Sequence, residues 1–341
     1  MNIFLGVTEI ANFISSYKQG LEKNGCRTYT VIGNRNIYYP NACYDVVLSD
    51  LIIGNHSHRS TITKIFQSFK SRFFSYYFFF RALFSCQVFI YNTGGSLLPC
   101  YFDYRLIKLL KKKLVVIFLG SEIRHWYPYK LEMEQLGYGN IVNPCISAFK
   151  EQNYGTYKEK NNRIYSAERN ADLILSQPGF AQMQKRPYMR VTVGLNIQQY
   201  KYNISDKKTP LIIHAPSSRG IKGTEYIIAA IDRLRKDGFQ FEFRLIEKMP
   251  NTELLDLLSN SDIVIDELYS DTIGVLSTEA MATGNAVLTS YFKDFAKVPA
   301  NCPVLNTNFS NVFENLRLVI SDQNLRNHLA KEGRKYVKLH H

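Results

Sequence analysis

DTIGVLSTEAMATG, residues 271 to 284, decides how this chain is read, because it sets two carboxylates, Asp271 and Glu279, eight residues apart around the start of a helix. Asp262 to Leu268 before it has the pattern of a buried strand, and a short polar loop follows. The small residues after that loop predict a helix opening near Gly274 and stopping at Gly284. Amides from Thr272, Ile273, Gly274, Val275 and Leu276 at such a start suit a diphosphate, and Gly274 has no side chain to hold it off. Glu279 lies five residues beyond Gly274, roughly 7 Å along the axis, which is the reach from a diphosphate to ribose hydroxyls. Asp271 would meet the other end of the ligand, where the sugar hydroxyls lie. The pattern therefore suits a nucleotide-sugar, although an ordinary strand–loop–helix with solvated acids has the same letters.

A second constellation lies upstream. The apolar run Leu211 to Ile213 leads into HAPSSRGIKGTEY, residues 214 to 226, and then a helix with Ile227, Ile228, Ile231 and Leu234 at helical spacing. Arg219 and Lys222 fall in that strand-to-helix loop. Two cations there complement a diphosphate, the Arg as a fork and the Lys as a point charge. Alone they would be surface cations, and only the company of the first loop gives them weight.

From Pro210 to Leu288, RGIKGTEYIIAAI, LIEKMPNTELLDLLSNSDIVID and DTIGVLSTEAMATGNAVL together resemble the donor half of the group-1 (family 4) glycosyltransferases of the GT-B fold. The resemblance implies an α/β protein of two Rossmann-like domains facing each other across a cleft. It also implies that Arg219 and Lys222 contact the donor diphosphate and that Asp271 and Glu279 stand for the two acids of the family's Glu-x7-Glu motif, Asp271 being one methylene shorter. The activity so implied is a retaining, hexosyl-type transfer from a nucleoside diphosphate sugar to a glycan or lipid-linked acceptor in surface polysaccharide synthesis. Retention by front-face attack then needs no protein nucleophile, no metal and no other cofactor. Asp266 and Glu267 lack Asp-x-Asp spacing, end a strand of buried type and need not face the site.

At 341 residues the chain exceeds the ~250 to 300 at which one core stops growing, so two domains are expected, residues 1 to 200 and 201 to 341, with the linker at Asn196 to Thr209. A hydrophobic content of 45% supplies two cores. The first half alternates strands at 2–7, 28–33, 87–92, 114–120, 171–176 and 191–195 with helices at 9–25 and 103–113, the rhythm of a parallel sheet. Residues 34–59 and 127–163 look like irregular insertions into the first domain that shape its acceptor side. The six cysteines show no Cys-x-x-Cys and fit reduced thiols of a cytosolic protein, and His56 and His58 fit a solvated loop. MNIFLGVTEIANF lacks the basic start of a signal peptide, and no uncharged apolar stretch reaches 18 residues. The resemblance further implies a helix crossing back to the first domain, before which the tail LRNHLAKEGRKYVKLHH stops.

Charge is uneven. Residues 1 to 200 hold 24 Lys plus Arg against 12 Asp plus Glu, and residues 201 to 341 hold 18 against 17. The first half is expected to meet an anion. Ile62 to Phe84 is helical in pattern, with Ile65, Phe66, Phe69, Phe73, Tyr77, Phe80 and Phe84 on a stripe that suits the core. Phe74 and Phe78 fall off that stripe among Lys64, Lys70, Arg72 and Arg81, which suits an anionic membrane surface on the cytoplasmic inner face, or else a fully buried aromatic helix. Nucleic acid is set aside because no zinc knuckle, helix-turn-helix or RNP-like motif accompanies the charge. On the acceptor side, GSEIRHW after the strand at 114–119 resembles the family's Gly-Ser-Asp-x-Arg turn, so Glu122 could position the attacking hydroxyl or pair with Arg124. Glu9 and Asn12, beside the Gly6 turn, and NTGGS at 92–96 are further acceptor candidates. A GT-B sugar-nucleotide epimerase and a non-catalytic glycan- or lipid-binding subunit would share these donor loops. A phosphorylase would need a pyridoxal lysine, for which no pattern is present.

Overall fold

The computed structural model describes residues 1–52, 61–151, 155–205 and 207–341, the side chains of 61–64 excepted. His56 and His58 lie outside the described residues, as does the Lys64 side chain. The chain forms two compact units, residues 1–125 with 154–191 and residues 126–153 with 192–341.

In the first unit, strands β1 (Asn2–Val7), β2 (Arg27–Ile32), β3 (Val46–Val47), β4 (Val88–Asn92), β5 (Lys113–Ile117), β6 (Leu173–Ser176) and β7 (Met189–Arg190) pair in parallel in the order β3-β2-β1-β4-β5-β6-β7. Order reverses between β1 and β4, and the crevice outside the carboxyl ends of such neighbours is where open α/β sheets take ligands. The first helix is Phe13–Lys23, shorter than its periodicity predicts, because Ala11 and Asn12 adopt left-handed backbone with φ of 52° and 60°. The strand expected at 191–195 is instead the pair Met189–Arg190, and the Val191 carbonyl is taken by the Gln177 side chain at 2.8 Å. The supposed insertion 34–59 contributes β3 and the short helix Leu48–Ile52 to the fold.

The aromatic helix is Thr61–Ser85, and its sidedness is the reverse of the sequence expectation. Phe78, Phe79, Ala82 and Leu83 are buried with Phe89 of β4, and Phe74 packs partly buried against the same cluster. The stripe assigned to the core faces solvent instead, with Phe66, Phe69, Phe73 and Phe84 exposed by 70%, 67%, 65% and 83%. Aromatics ring this helix, so its periodicity cannot choose a face; the sheet selects the one where Ala82 and Leu83 allow close approach. Among the described residues no helix is long and apolar enough to cross a membrane.

In the second unit, β8 (Leu211–His214), β9 (Glu242–Leu245), β10 (Ile263–Ile265), β11 (Ala286–Thr289) and β12 (Leu305–Asn306) pair in parallel in the order β12-β11-β10-β8-β9. The order reverses between β8 and β10, the two strands that precede the quoted motifs. Residues 126–153, expected as part of the first domain, belong here. Tyr129, Met133 and Val142 cluster with Phe292, and Tyr138 stacks flat on the Phe292 ring at 3.9 Å. This aromatic packing draws the excursion to the second unit, as does Ala148, which a Cβ on Gly220 would approach to 3.1 Å. With that assignment the first unit carries 22 Lys plus Arg against 9 Asp plus Glu and the second 20 against 20, so the whole net charge of +13 lies in the first.

Candidate functional site

At the switch point of the second sheet, β8 ends at His214 and the chain turns into the short helix Arg219–Lys222 before the long helix Thr224–Lys236. His214 is fully buried. Its Nδ1 lies 2.9 Å from the Ile265 carbonyl and its Nε2 2.8 Å from Thr224 Oγ1. A carbonyl can only accept, so Nδ1 carries the proton and Nε2 accepts from the threonine. Burial pushes the imidazole down to about 4, keeping it neutral. This ring joins the ends of β8 and β10 to the helix behind Lys222. It also takes the Ile265 carbonyl, so β10 ends there rather than at Leu268 as the sequence predicts.

Lys222 reaches across to β10's end, where its ammonium bonds Asp266 Oδ1 at 2.7 Å and Glu267 Oε1. Asp266 and Glu267, which the sequence did not require to face the site, both do so through Lys222. Burial opposes the charge on Lys222, but the two carboxylates outweigh it and hold the ammonium above its usual range. Burial likewise opposes ionisation of Asp266, and Lys222 overrides it, so Asp266 stays below the usual carboxylate range. The other oxygen of Asp266 accepts from Ser277 Oγ at 2.8 Å and from the Ser277 amide at 3.2 Å. Asp266 thus occupies part of the helix start as an internal anion.

The helix itself is Val275–Thr283, with Gly274 and Gly284 as its caps, as the sequence predicts. Gly284 has φ of 98°, which ends the helix in the left-handed region that glycine favours. A Cβ on Gly274 would stand 3.3 Å from Asp266 Oδ2, so this glycine admits the carboxylate to the helix start as well as leaving the backbone open. Val275 and Leu276 precede the first helical bond, Thr278 to the Gly274 carbonyl at 3.1 Å, and their amides have no acceptor within the helix. Thr272 donates its amide to Ser270 Oγ at 3.3 Å, and Ile273 is buried. Asp271 is buried in the loop, its carbonyl accepting from Phe292 at 3.0 Å. Arg219 is the exposed cation of the pair, 3.1 Å from Glu225 and 3.9 Å from Glu247.

Glu279 is buried on this helix. Asn251 Nδ2 donates to Oε1 at 3.1 Å and to Oε2 at 3.3 Å, and Tyr200 OH reaches Oε1 at 3.4 Å. Burial pushes the carboxyl up to about 7, and these hydrogen bonds only partly offset it. The result is an oriented acid able to accept two vicinal hydroxyls. Asn251 and Tyr200 went unnoticed in the sequence because they come from distant segments with no motif; the Asn after Met249-Pro250, at a helix start, was the only hint.

In the first unit, Glu122 Oε1 accepts from the amides of Leu119 and, at 3.1 Å, Gly120, closing its own turn. Lys160, 2% exposed, braces that turn by donating to the carbonyls of Ser121 and, at 2.8 Å, Arg124. Burial lowers this ammonium to about 8. Glu9 is a helix cap rather than a ligand group: its carboxylate accepts from Tyr44 OH at 2.8 Å and from the amides of Ile14 and Ser15 at 3.3 Å. Asn12, the other acceptor candidate, is the left-handed residue before that helix. Asn92 ties the β4 turn to the β1 turn through the Thr8 carbonyl at 3.0 Å. Buried Asp103 anchors the rest of NTGGSL, accepting from Ser96 Oγ at 2.7 Å and the Leu97 amide at 2.8 Å.

No protein-family model and no curated protein matches this chain in sequence. Solved structures match its fold. Sucrose-phosphate synthase from Thermosynechococcus elongatus is 13% identical with a TM-score of 0.65, over 99% of this chain and 94% of that one. WaaG, a glycosyltransferase involved in lipopolysaccharide biosynthesis, is 13% identical with a TM-score of 0.57, over 99% and 95%. UDP-GlcNAc 2-epimerase from Neisseria meningitidis, bound to UDP-GlcNAc, is 14% identical with a TM-score of 0.53, over 99% and 98%. At such identities the likeness carries the fold: the chain has the GT-B fold.

Proposed function

We propose that this protein is a family 4, retaining glycosyltransferase that moves a sugar from a nucleoside diphosphate sugar to a glycan or lipid-linked acceptor of a surface polysaccharide. One observation carries the reading. At the β8/β10 switch point two cations and a helix start lie together, and the next turns of that helix bear a buried carboxylate oriented by Asn251 and Tyr200. A diphosphate at the helix start and a ribose on Glu279 use every part of that arrangement. Asp271 and the diphosphate-side loop then serve the sugar.

The chemistry asked of the protein is charge stabilisation of the departing diphosphate. Lys222 is held rigidly by Asp266 and Glu267, so it contributes a preorganised charge. Arg219, on the exposed side, is free to swing from Glu225 to a phosphate oxygen. With the amides of Val275 and Leu276 these cations support a metal-independent departure, the leaving phosphate taking the acceptor proton. On the first unit, Glu122 and the turns after β1, β4 and β5 serve the acceptor. The net charge of that unit supports an anionic membrane as its cytoplasmic-side partner.

The same donor site suits an epimerase, and the likeness to a UDP-GlcNAc 2-epimerase favours keeping that second reading. A donor screen separates the two. Thermal shift and product analysis across UDP-, GDP- and ADP-sugars should find one class that stabilises the fold, by ~2.7 kcal/mol at about 100 times its Kd. Transfer or slow hydrolysis of that donor supports the transferase, and conversion to an epimeric sugar nucleotide without acceptor supports the epimerase. No stabilisation by any nucleotide-sugar overturns both.

A further inference from the structure

Besides Tyr76, the helix Thr61–Ser85 presents six aromatic rings to solvent on one narrow stripe: Phe66, Phe69, Phe73, Tyr77, Phe80 and Phe84. At 100° per residue they fall within an arc of ~80°, a single stripe running ~27 Å along the axis. No acidic residue occurs anywhere in this helix, and the exposed cations Lys70, Arg72 and Arg81 flank the stripe. The opposite side, from Phe74 to Leu83, is already seated on the sheet. A surface of this kind is apolar where it faces outward and positive at its margins, and its second half is held by the core.

Burial is also uneven along the helix. Its buried positions begin at Phe78, and from Ile65 to Phe73 the helix has none. The helix connects β3 to β4, two parallel strands, so it runs antiparallel to them and its early turns lie toward the carboxyl ends of the strands. Those ends carry the turns after β1, β4 and β5. The unburied half of the aromatic helix is therefore at the same edge as the candidate acceptor turns.

Resting on the membrane reading above, we infer that this stripe is the seat by which the first unit inserts into the headgroup boundary of an anionic bilayer, presenting its acceptor edge to a lipid-linked acceptor. Aromatic rings belong at that boundary and the flanking cations meet anionic headgroups, so the helix lies on the surface rather than across it. Charge argues against a second copy of this face as the occupant. A two-fold contact would bring Lys70, Arg72 and Arg81 against their own equivalents with no acid in the helix to answer them. This face is the reverse of the one carrying Phe74 and Phe78, which the core has taken.

Vesicle flotation with the full chain tests the seat, using vesicles of equal parts phosphatidylglycerol and phosphatidylcholine beside pure phosphatidylcholine. Wild type should float with the anionic vesicles, and F69S/F73S should lose roughly tenfold or more in partitioning. Both residues are exposed, so the variant should keep its circular dichroism and its thermal shift with nucleotide-sugar. F73W should be quenched by lipids brominated on their acyl chains more strongly than wild type, whose single tryptophan is Trp126. If F69S/F73S floats like wild type and salt releases both, charge alone adsorbs the protein and the aromatic seat is refuted while the membrane reading stands. If wild type floats with neither vesicle, the membrane reading fails with it. A dimer in sedimentation that F69S/F73S dissociates, without flotation, also overturns the inference in favour of self-association.

Discussion

Replacing Glu279 by Gln tests the donor site most directly, because one substitution should move binding and stability in opposite directions. In the free protein burial has pushed this carboxyl from 4.5 to about 7. Tenfold in a protonation equilibrium corresponds to ~1.4 kcal/mol, so the charged form is disfavoured by about 3 kcal/mol, an order-of-magnitude figure. The folded pKa lies above the unfolded one, so the folded state holds the proton more tightly. Stability linked to that proton is fully present below pH 4.5 and is lost as pH rises through about 7. An amide at this position would not titrate, so at about pH 8 the variant should be more stable than wild type by up to ~3 kcal/mol, less whatever Asn251 and Tyr200 lose with the charge. Binding should go the other way. Ribose hydroxyls donate to a carboxylate with ~1.5 to 3 kcal/mol of charge-assisted bonding, so nucleotide-sugar affinity should fall by ~10- to 150-fold.

The same linkage gives wild type a pH signature. Ribose binding favours the ionised form, so donor affinity should rise with pH and level off above about 7, with a proton released on binding near pH 6. A sugar nucleotide is the proper ligand, because its diphosphate does not titrate in this range. Calorimetry in two buffers of different ionisation enthalpy reads both affinity and proton release. A folded Glu279→Gln variant with unchanged affinity, or a wild-type affinity flat from about pH 5.5 to 8 with no proton release, would refute the placement of the ribose on Glu279.

Arg219→Ala should fold normally and lower turnover more than donor affinity, since leaving-group charge grows in the transition state; steady-state kinetics that show only a KM change would contradict this. Lys222→Ala should additionally destabilise the fold by ~3 to 5 kcal/mol, because it abandons Asp266 as a buried charge with half-buried Glu267 beside it, and Asp266→Asn in that background should restore melting temperature but not transfer. Transfer should survive chelator, and complete loss in EDTA restored by Mg²⁺ or Mn²⁺ would overturn the metal-independent chemistry. Phe78→Ser should cost about 3 to 5 kcal/mol in denaturant unfolding, whereas Phe73→Ser should stay within ~0.5, and the reverse order would mean that the helix sits the other way round. Asp103→Ala should cost ~1 to 3 kcal/mol by stranding the Leu97 amide, measured in the same way.

Periodic and local signals were sufficient for much of this protein. Alternating strands and helices announced the parallel sheet of the first half, and Gly274 and Gly284 bounded the helix between them because capping depends on neighbours in the chain. Arg219, Lys222 and Glu279 could be named for the same reason, each standing at a fixed distance from a strand end or helix start. What the chain alone could not decide was which partner each group takes, since that depends on residues brought together from far apart. Asp266 and Glu267 sit beside Lys222 only because β8 and β10 are neighbours. Asn251 and Tyr200 reach Glu279 from 28 and 79 residues away. Residues 126–153 join the second unit because Tyr129, Met133, Val142 and the stacked Tyr138 ring pack around Phe292. The aromatic helix shows the limit most plainly: with rings on every side, its composition predicts a helix that must bury something, and only the sheet beneath it selects Phe78 for the core and leaves Phe73 in the solvent.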